Sequence, residues 1–573
     1  MQIDAKSARE NLKLKNFDLA VGQYQELISE SPTDFIFYLE LSSALMGLGK
    51  FDEALVVVKQ IEGASLELDG EIKLQKANIF ASQDRFSEAL PILQQLLSSS
   101  CGDRARTTLS GIYIRMGLPS KAISLFDGLE RAILTTGDIN NLAIALSERM
   151  RVTEALSVLS DRIVGNSYDS STISNLLMIS NYVLDSAQCI SIARDAIIKN
   201  YGERLDASPS KLSQGALRLG FVSGDMNQHP VGWFFVGLLR ELSKKYSVNI
   251  YYANQKSDQL TRDLAATTPN FFFIDNLTDE DLRTKIRTDS IDILFDLSGH
   301  TAKNRISIFN QRVAPIQLSY LGYFASTYMP EMDGAIFDKN HMRGVPEKFF
   351  SEKVYELPCS RFCYSAPPYA PQIGPLPALA DDCITFGSFS STSKISDLCI
   401  EMWAKTLIAI PHSRIKLRWK TLRDTDLCNH IRSLFLSHGV VNSRVELYPE
   451  CDHESLFYFY NELDIALDTF PFSGATTSCE ALWMGLPVIT RAGSTPASNQ
   501  AASILSEIGL DECISNSIDE FVAQAKSLSS DKKKLSNLRS SMRGRILESS
   551  LGNPEVFTGH FSRLIEGICH NHR

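Results

Sequence analysis

The run DTFPFSGATTSCEALW at residues 468–483 begins at the last residue of a short strand candidate, residues 465–468, and a second apolar segment comes after it. Gly474 supplies a turn, and Thr476 and Thr477 then open a helix, so this stretch has the order strand, loop, helix, strand. The first N–H groups of a helix have no partner within it, and together with the helix dipole they bind phosphate oxygens. An ordinary helix cap is the alternative interpretation of the same residues.

The same alternation of strands and helices extends to both sides of this run. Apolar strand candidates are separated by helical stretches at residues 217–223, 248–252, 271–274, 291–297, 316–320, 384–389, 413–419 and 445–448. Such alternation predicts parallel sheets that are covered by helices on both faces. Six prolines in residues 358–377 mark a segment between two units. We therefore predict two Rossmann-like lobes, residues 216–380 and 381–573, in the GT-B architecture, with ligands bound in the cleft at the strand ends and a last helix, residues 556–569, that crosses back to the first lobe.

Two further loops follow predicted strands and are therefore expected at the same edge of their sheets. The loop SGDMNQHP at residues 223–230 contains His229, and a histidine acts near neutral pH as an acid, a base or a hydrogen-bond partner. A histidine that only caps the following helix is the alternative. In the loop FSSTSK at residues 389–394, Lys394 is placed to neutralise a diphosphate, and a solvated surface lysine is the alternative.

A period of about 34 residues runs through the first third of the chain. An alanine recurs within a shared pattern at intervals of 34, 35, 33 and 33 residues, at Ala20, Ala54, Ala89, Ala122 and Ala155. This is the helix-turn-helix period of tetratricopeptide repeats, in which a small alanine lets neighbouring helices approach closely. We predict an α-helical tetratricopeptide superhelix over residues 1–165 and a helical cap and linker over residues 166–215. Such repeats form either a spacer or dimerisation surface, or a groove that holds a protein partner.

Composition limits the partners and surroundings of the chain. A net charge of −10 provides no electrostatic reason to bind nucleic acid or an anionic membrane. The eleven cysteines include no C-x-x-C pair, which favours free thiols and a cytoplasmic location over disulfides or a zinc site. The first ten residues lack the apolar core of a signal peptide, and no segment has the roughly 20 apolar residues of a membrane helix. The triplet DTD at residues 424–426 lies in a polar helical stretch and is interpreted as a solvated face.

Taken together, these segments resemble the O-linked N-acetylglucosamine transferases, which join tetratricopeptide repeats to a GT-B region. The resemblance covers about residues 217–567, and the segments that carry it are residues 219–230, DLSGHT at 296–301, NR at 304–305, APIQ at 314–317, LGY at 321–323, 464–483 and 497–509. It implies an inverting transfer of N-acetylglucosamine from UDP-N-acetylglucosamine to a serine or threonine hydroxyl of a protein, without a metal or another cofactor. Transfer of another sugar such as glucose, transfer to asparagine, and a scaffold whose transferase region has decayed are the alternatives.

The resemblance also implies roles for individual residues. His229 matches the active-site histidine of the family, and Lys394 matches its diphosphate-binding lysine. Thr476 and Thr477 match a pyrophosphate-binding pair, and Glu480 matches a ribose-binding acid. The other donor-side candidates are Gly474, Cys451, His453 and Ser391, and the candidates for the acceptor side of the cleft are Asp225, His300, Thr301 and Tyr323. The acceptor protein is expected in the repeat groove, and a homo-oligomer is left open.

This chain departs from the family pattern at positions that we expect to line the donor cleft. The departures are Ala475 in place of a histidine or glycine, Ser390 and Ser391 in place of an asparagine or glutamine, Phe324-Ala325-Ser326 in place of Pro-Gly-Thr, Leu456 in place of a uridine-contacting residue, and Asn499 in place of an arginine. They bear on which sugar the donor carries, whereas the positions for phosphate and ribose are kept.

Overall fold

The structure, a computed structural model, describes residues 4–202, 212–213 and 215–572. Residues 203–211 and 214, within the predicted helical cap and linker over residues 166–215, lie outside this part of the chain. The first part is helical, with α1 (Ala5–Lys13), α2 (Phe17–Glu30), α3 (Phe35–Gly47), α4 (Phe51–Gln60), α5 (Asp69–Ser82), α6 (Phe86–Leu96), α7 (Gly102–Arg115), α8 (Pro119–Ser124), α9 (Thr136–Glu148), α10 (Val152–Val164), α11 (Ser170–Ser180) and α12 (Ala187–Tyr201).

The recurring residues of the sequence mark the second helix of each repeat. Helices α2, α4, α6, α8 and α10 all begin three residues before a recurring alanine, and all five alanines are fully buried. The turn residue five positions before each alanine has a positive φ angle in every repeat, at Lys15, Gly49, Asp84, Gly117 and Met150. Only two of these residues are glycines, so helix packing holds the other three in a conformation that their side chains disfavour.

The first lobe is a seven-stranded sheet whose described pairings are all parallel. Its strands are β1 (Arg218–Ser223), β2 (Ser247–Tyr252), β3 (Asn270–Phe273), β4 (Ile293–Asp296), β5 (Ile316–Ser319), β6 (Gly334–Asp338) and β7 (Lys353–Leu357), and its helices are α13 (Pro230–Leu242), α14 (Gln259–Thr267) and α15 (Asp279–Thr288). The strand order β3-β2-β1-β4-β5-β6-β7 reverses direction between β1 and β4. Open parallel sheets bind ligands at such a switch point.

The second lobe is a six-stranded parallel sheet with the order β10-β9-β8-β11-β12-β13. The strands are β8 (Ile384–Ser388), β9 (Ser413–Arg418), β10 (Val445–Tyr448), β11 (Ile465–Leu467), β12 (Val488–Arg491) and β13 (Ile514–Ser515). The helices are α16 (Asp397–Ala409), α17 (Thr425–Ser437), α18 (His453–Tyr460), α19 (Thr476–Trp483), α20 (Gln500–Glu507), α21 (Ile518–Ser530), α22 (Lys532–Glu548) and α23 (Pro554–His572). The switch point lies between β8 and β11, the strands that precede Lys394 and the 468–483 run.

The two-lobed fold agrees with the prediction, and three strands were not predicted. Strand β7 is an edge strand with exposed Lys353 and Glu356, and therefore carries little apolar pattern. Strands β6 and β13 are short, with five and two residues. In the last helix, α23, the centre of the Phe561 ring lies 5.7 Å from that of Phe295 and 5.2 Å from that of Tyr320, two residues of the first lobe.

The chain divides into two compact units. One contains the residues up to Ala145 together with Phe273–Lys285, and the other contains Leu146–Phe272 and the residues from Ile286 onward. The domain boundaries predicted at residues 165, 215 and 380 stay predictions. Within the described residues, no helix has both the length and the apolar character needed to cross a bilayer.

Candidate active site at the switch points of the two sheets

The beginning of α19 has the features of an anion site. Its N-cap residue, Ala475, offers no side chain to the first N–H groups, so these donors are left for another partner. The hydroxyl oxygen of Thr476 is buried and has no hydrogen-bond partner within the described residues. Thr477 and Ser478 line a small cavity together with Ser390, which follows β8. Free donors at a helix N-terminus favour phosphate oxygens.

A buried aspartate shapes the loop that leads into this helix. Asp468 Oδ1 accepts the backbone N–H groups of Thr469 at 2.8 Å and of Gly474 at 2.7 Å, and Oδ2 accepts the Thr490 hydroxyl at 2.7 Å. Gly474 is required here, because a Cβ atom at this position would lie 2.6 Å from the Thr477 hydroxyl oxygen. Burial raises the pKa of Asp468. The loop geometry is therefore fixed before any ligand binds.

Lys394 lies in a 3-10 turn, Thr392–Lys394, that follows β8. Its Nζ atom lies 4.3 Å from the centre of the Phe472 ring and makes no hydrogen bond to any residue that the structure describes. Burial lowers the pKa of Lys394, while the negative charge of Asp468 opposes this shift. A surface lysine would show neither feature. The Lys394 side chain is partly buried, and the donors of its ammonium are available to an anion.

The helical segment before the first lobe holds the Lys394 turn in place. The Thr392 hydroxyl donates to the backbone oxygen of Glu148 at 2.7 Å and lies 2.8 Å from the Thr421 hydroxyl. The Glu148 carboxylate in turn pairs with Lys420 at 2.9 Å. The position of Lys394 therefore depends on the C-terminal end of α9.

Glu480 lies at the centre of a chain of hydrogen bonds. Its carboxylate accepts from His453 Nε2 at 2.8 Å and from the Tyr460 hydroxyl at 3.1 Å. His453 Nδ1 then accepts the Tyr369 hydroxyl at 2.7 Å. The His453 ring also stacks with Trp233 of α13, with ring centres 6.3 Å apart. These contacts fix Glu480 and join the two lobes, and both ring nitrogens of His453 are already occupied.

His229 both caps α13 and lies beside a carboxylate. Its Nδ1 atom accepts the Val231 N–H at 3.3 Å and lies 3.7 Å from Asp225 Oδ1. The neutral ring therefore carries its proton on Nε2. Desolvation lowers the pKa of His229 although 42% of its side-chain surface is accessible, and burial raises the pKa of Asp225. The capping and the functional interpretation of His229 are both compatible with this geometry.

The three other acceptor-side candidates are less open. His300 is buried, with Nδ1 2.9 Å from the Ser174 hydroxyl and Nε2 2.8 Å from the Thr327 carbonyl oxygen. Tyr323 is buried against the His300 ring. The Thr301 hydroxyl donates to the backbone oxygen of Ser298. His300 therefore has no ring nitrogen left for a substrate.

Several expectations for the second lobe are corrected by the structure. Asn499 is buried, and its amide donates to the backbone oxygens of His341 and Arg343, so it does not line the donor cleft. Asp424 is not a solvated residue but the buried N-cap of α17. Within the described part of the chain, no group of three His, Cys, Asp or Glu side chains is arranged to hold a metal ion, and metal-independent transfer stays a prediction. All eleven cysteines are free.

Two donor-side candidates gain no contact that supports their predicted roles. Cys451 is partly buried just before α18, and burial raises the pKa of its thiol. Ser391 precedes the Lys394 turn, and only its backbone oxygen is used, as acceptor for the Lys394 N–H at 3.0 Å. Their assignment stays a prediction.

Sequence reasoning missed three aromatic residues and one carboxylate at the site. Asp468 directly follows a predicted strand, and the rule that located Lys394 also indicates this position. Phe472, Tyr369 and Tyr182 lie in loops or turns with no periodic pattern. Their proximity to the site depends on contacts between segments that are far apart in sequence.

Two parallel sheets with polar groups after the strands of both switch points define a GT-B glycosyltransferase fold. The sequence profile of glycosyl transferase family 41 matches residues 189–364 and 376–561. The chain therefore belongs to glycosyl transferase family 41.

Among curated relatives, the probable UDP-N-acetylglucosamine–peptide N-acetylglucosaminyltransferases SPINDLY of Solanum lycopersicum and Petunia hybrida are 33% and 35% identical over 69% and 61% of this chain. These alignments cover 43% and 38% of the relatives, so the chain spans less than half of their length. A solved mutant O-GlcNAc transferase of Thermobaculum terrenum is similar, with 27% identity, a TM-score of 0.78, and coverage of 88% of this chain and 99% of that one.

Proposed function

We propose that the protein transfers N-acetylglucosamine from UDP-N-acetylglucosamine to serine or threonine hydroxyls of other proteins, with inversion at the anomeric carbon. The observation that carries the proposal is the pairing of two open groups in the second lobe. Lys394 offers an ammonium without a protein hydrogen bond, and Thr476 offers a buried hydroxyl without a partner at an uncapped helix end. The names of the SPINDLY relatives state the same donor.

In this proposal the second lobe stabilises the leaving group. Lys394 and the first N–H groups of α19 bind the diphosphate, and Glu480 binds the ribose hydroxyls. The acceptor oxygen bonds to the anomeric carbon as the bond to the β-phosphate oxygen breaks, and the electron pair leaves with UDP. Donors that are already oriented toward a developing charge typically contribute the largest part of catalysis.

The first lobe contributes to the acceptor side. His229 carries its proton on Nε2 and therefore donates a hydrogen bond toward the cleft. Asp225, 3.7 Å from His229 Nδ1, is the carboxylate that we assign as acceptor of the hydroxyl proton. Its pKa, raised by burial, makes it a stronger base than a solvated aspartate.

The proposal extends to partners and surroundings. The helical repeats hold the acceptor protein in their groove, no nucleic acid takes part, and eleven free thiols fit a reducing compartment such as the cytoplasm. No metal or other cofactor is needed, because Lys394 and the α19 N-terminus supply the positive charge. A homo-oligomer is compatible with this arrangement and stays a prediction.

A two-stage experiment tests the function. Calorimetric titration with UDP, with GDP as base control, is followed by mass spectrometry of proteins co-expressed with the wild type, His229→Ala and Asp225→Asn. We expect UDP binding in all three proteins, and N-acetylhexosamine on serine or threonine only with the wild type. A decayed scaffold would bind no UDP, whereas hexose or modified asparagine would identify one of the alternative activities.

A further inference from the structure

A partly exposed aromatic cluster lies on one side of Lys394 and contacts its ammonium through the Phe472 ring. The buried Phe472 ring lies 4.3 Å from this ammonium. Two other rings contact Phe472, with ring centres at 5.2 Å for Tyr182 and 5.1 Å for Phe324. Tyr182, Phe324 and Lys394 are each only partly buried, so two partly accessible rings lie on Phe472, the ring that contacts the ammonium.

The three rings come from three parts of the chain. Tyr182 lies in the turn after α11, within the helical segment that precedes the first lobe. Phe324 lies after β5 in the first lobe, and Phe472 lies in the loop before α19. The site is therefore incomplete without the helical segment, which contributes a side chain as well as a support for the Lys394 turn.

The hydroxyl of Tyr182 is available to a ligand. It makes no hydrogen bond to any residue described in the structure, and its oxygen atom is accessible. Burial, together with the charge of Glu148, raises the pKa of Tyr182. The phenol therefore keeps its proton at neutral pH and acts as a hydrogen-bond donor.

We propose that Tyr182 and Phe324 form the wall of the site that binds the donor sugar, a hexopyranosyl group. This inference rests on the proposed function, in which Lys394 binds the diphosphate. The sugar is bonded directly to that diphosphate, so it lies close to the ammonium, and Tyr182 and Phe324 are only one ring, Phe472, away from that ammonium. Aromatic rings pack against the apolar face of a ligand, and a single placed hydroxyl fixes its orientation.

The wall predicts that the sugar and the nucleotide are bound by separable groups. Tyr182 and Phe324 are expected to contact the sugar only, whereas Lys394 and Thr476 are expected to contact the diphosphate. Changes in the wall should therefore alter the affinity for UDP-sugars and leave the affinity for UDP unchanged. The same changes should alter the preference among donors that share UDP and differ in the sugar.

The test compares UDP with UDP-N-acetylglucosamine and UDP-glucose by calorimetry on the full chain. The variants are Tyr182→Phe, Tyr182→Ala and Phe324→Ala, with Tyr168→Ala as matched control. Tyr168 belongs to the same helical segment, and its hydroxyl lies 3.4 Å from Asn200. Thermal unfolding of each variant confirms that the fold is intact, and Tyr182→Phe keeps the ring contact with Phe472.

We expect Tyr182→Ala and Phe324→Ala to weaken binding of UDP-sugars by about tenfold, as for loss of one hydrogen bond or ring contact, with UDP affinity unchanged. Tyr182→Phe should give a smaller loss, and the control none. Unchanged binding of UDP-sugars in both alanine variants overturns the wall, and so does an equal loss of UDP and UDP-sugar affinity. Failure of the proposed function differs from both, because the wild type itself would then bind neither ligand.

Discussion

Replacement of Lys394 by methionine separates the function of this site from its stability. Methionine keeps the length of the side chain and its contact with the Phe472 ring, and it removes the charge. The ammonium makes no hydrogen bond to the described protein, so all of its donors remain for the diphosphate. A hydrogen bond to a charged group contributes about 1.5–3 kcal/mol, so UDP affinity should fall by roughly ten- to 150-fold.

Turnover should fall further than affinity. Charge accumulates on the diphosphate as the sugar leaves, and removal of one such stabilising group typically costs about 10²–10³-fold in kcat. Stability should respond in the opposite direction. Burial lowers the pKa of Lys394, so the unfolded state holds this proton more tightly than the folded state does. At neutral pH the charged side chain therefore lowers the free energy of unfolding. We therefore expect the Tm of Lys394→Met to stay unchanged or rise at neutral pH.

The assay combines UDP titration, donor turnover and thermal unfolding. Lys405→Met is the matched control, because Lys405 lies in the same lobe and is half exposed. Its ammonium forms an ion pair with Glu401 at 2.7 Å. The control should keep UDP affinity and turnover. A Lys394→Met protein with full turnover would refute the mechanism, and one whose Tm falls together with its activity would assign Lys394 a structural role instead.

Three further perturbations test the geometry. Gly474→Ala places a Cβ 2.6 Å from the Thr477 and 2.8 Å from the Ser478 hydroxyl oxygen, so UDP affinity measured by calorimetry should fall about tenfold or more; unchanged affinity would show that this loop does not hold phosphate. Thr476→Val removes a buried hydroxyl that has no partner in the described protein, so Tm should stay equal or rise. UDP binding should weaken, because the hydroxyl is proposed to contact the diphosphate. A lower Tm would show that the hydroxyl has a partner in the folded protein. Burial lowers the pKa of His300 to about 4, so below pH 6.5 the unfolded state takes up a proton that the folded state does not, and the free energy of unfolding falls. Denaturant unfolding of the wild type should show a loss of about 2 kcal/mol in this free energy between pH 7 and pH 5. His300→Gln should not show this loss.

The alternation of strands and helices was sufficient to predict both lobes, because buried parallel strands are apolar runs between helical segments. The same rule located Lys394, Thr476 and His229, since each follows a predicted strand. The expectation for Asn499 was wrong, and it came from the resemblance alone and not from this rule. The amide of Asn499 instead donates to backbone oxygens that lie 158 and 156 residues earlier in the sequence, and no local pattern carries such a contact.

The distribution of unsatisfied polar groups argues against a decayed scaffold. Asp468 accepts hydrogen bonds from two backbone N–H groups of its own loop and from the Thr490 hydroxyl of β12. Nearby, the buried Thr476 hydroxyl is left without a partner within the described residues, although an unpaired buried polar group costs about 1–3 kcal/mol. The partly buried Lys394 ammonium has the charge of Asp468 near it but makes no hydrogen bond to the described protein. A site without a ligand would become more stable if either group were replaced by an apolar side chain. Their presence beside a loop that is already fixed is expected only where a bound anion offsets the cost.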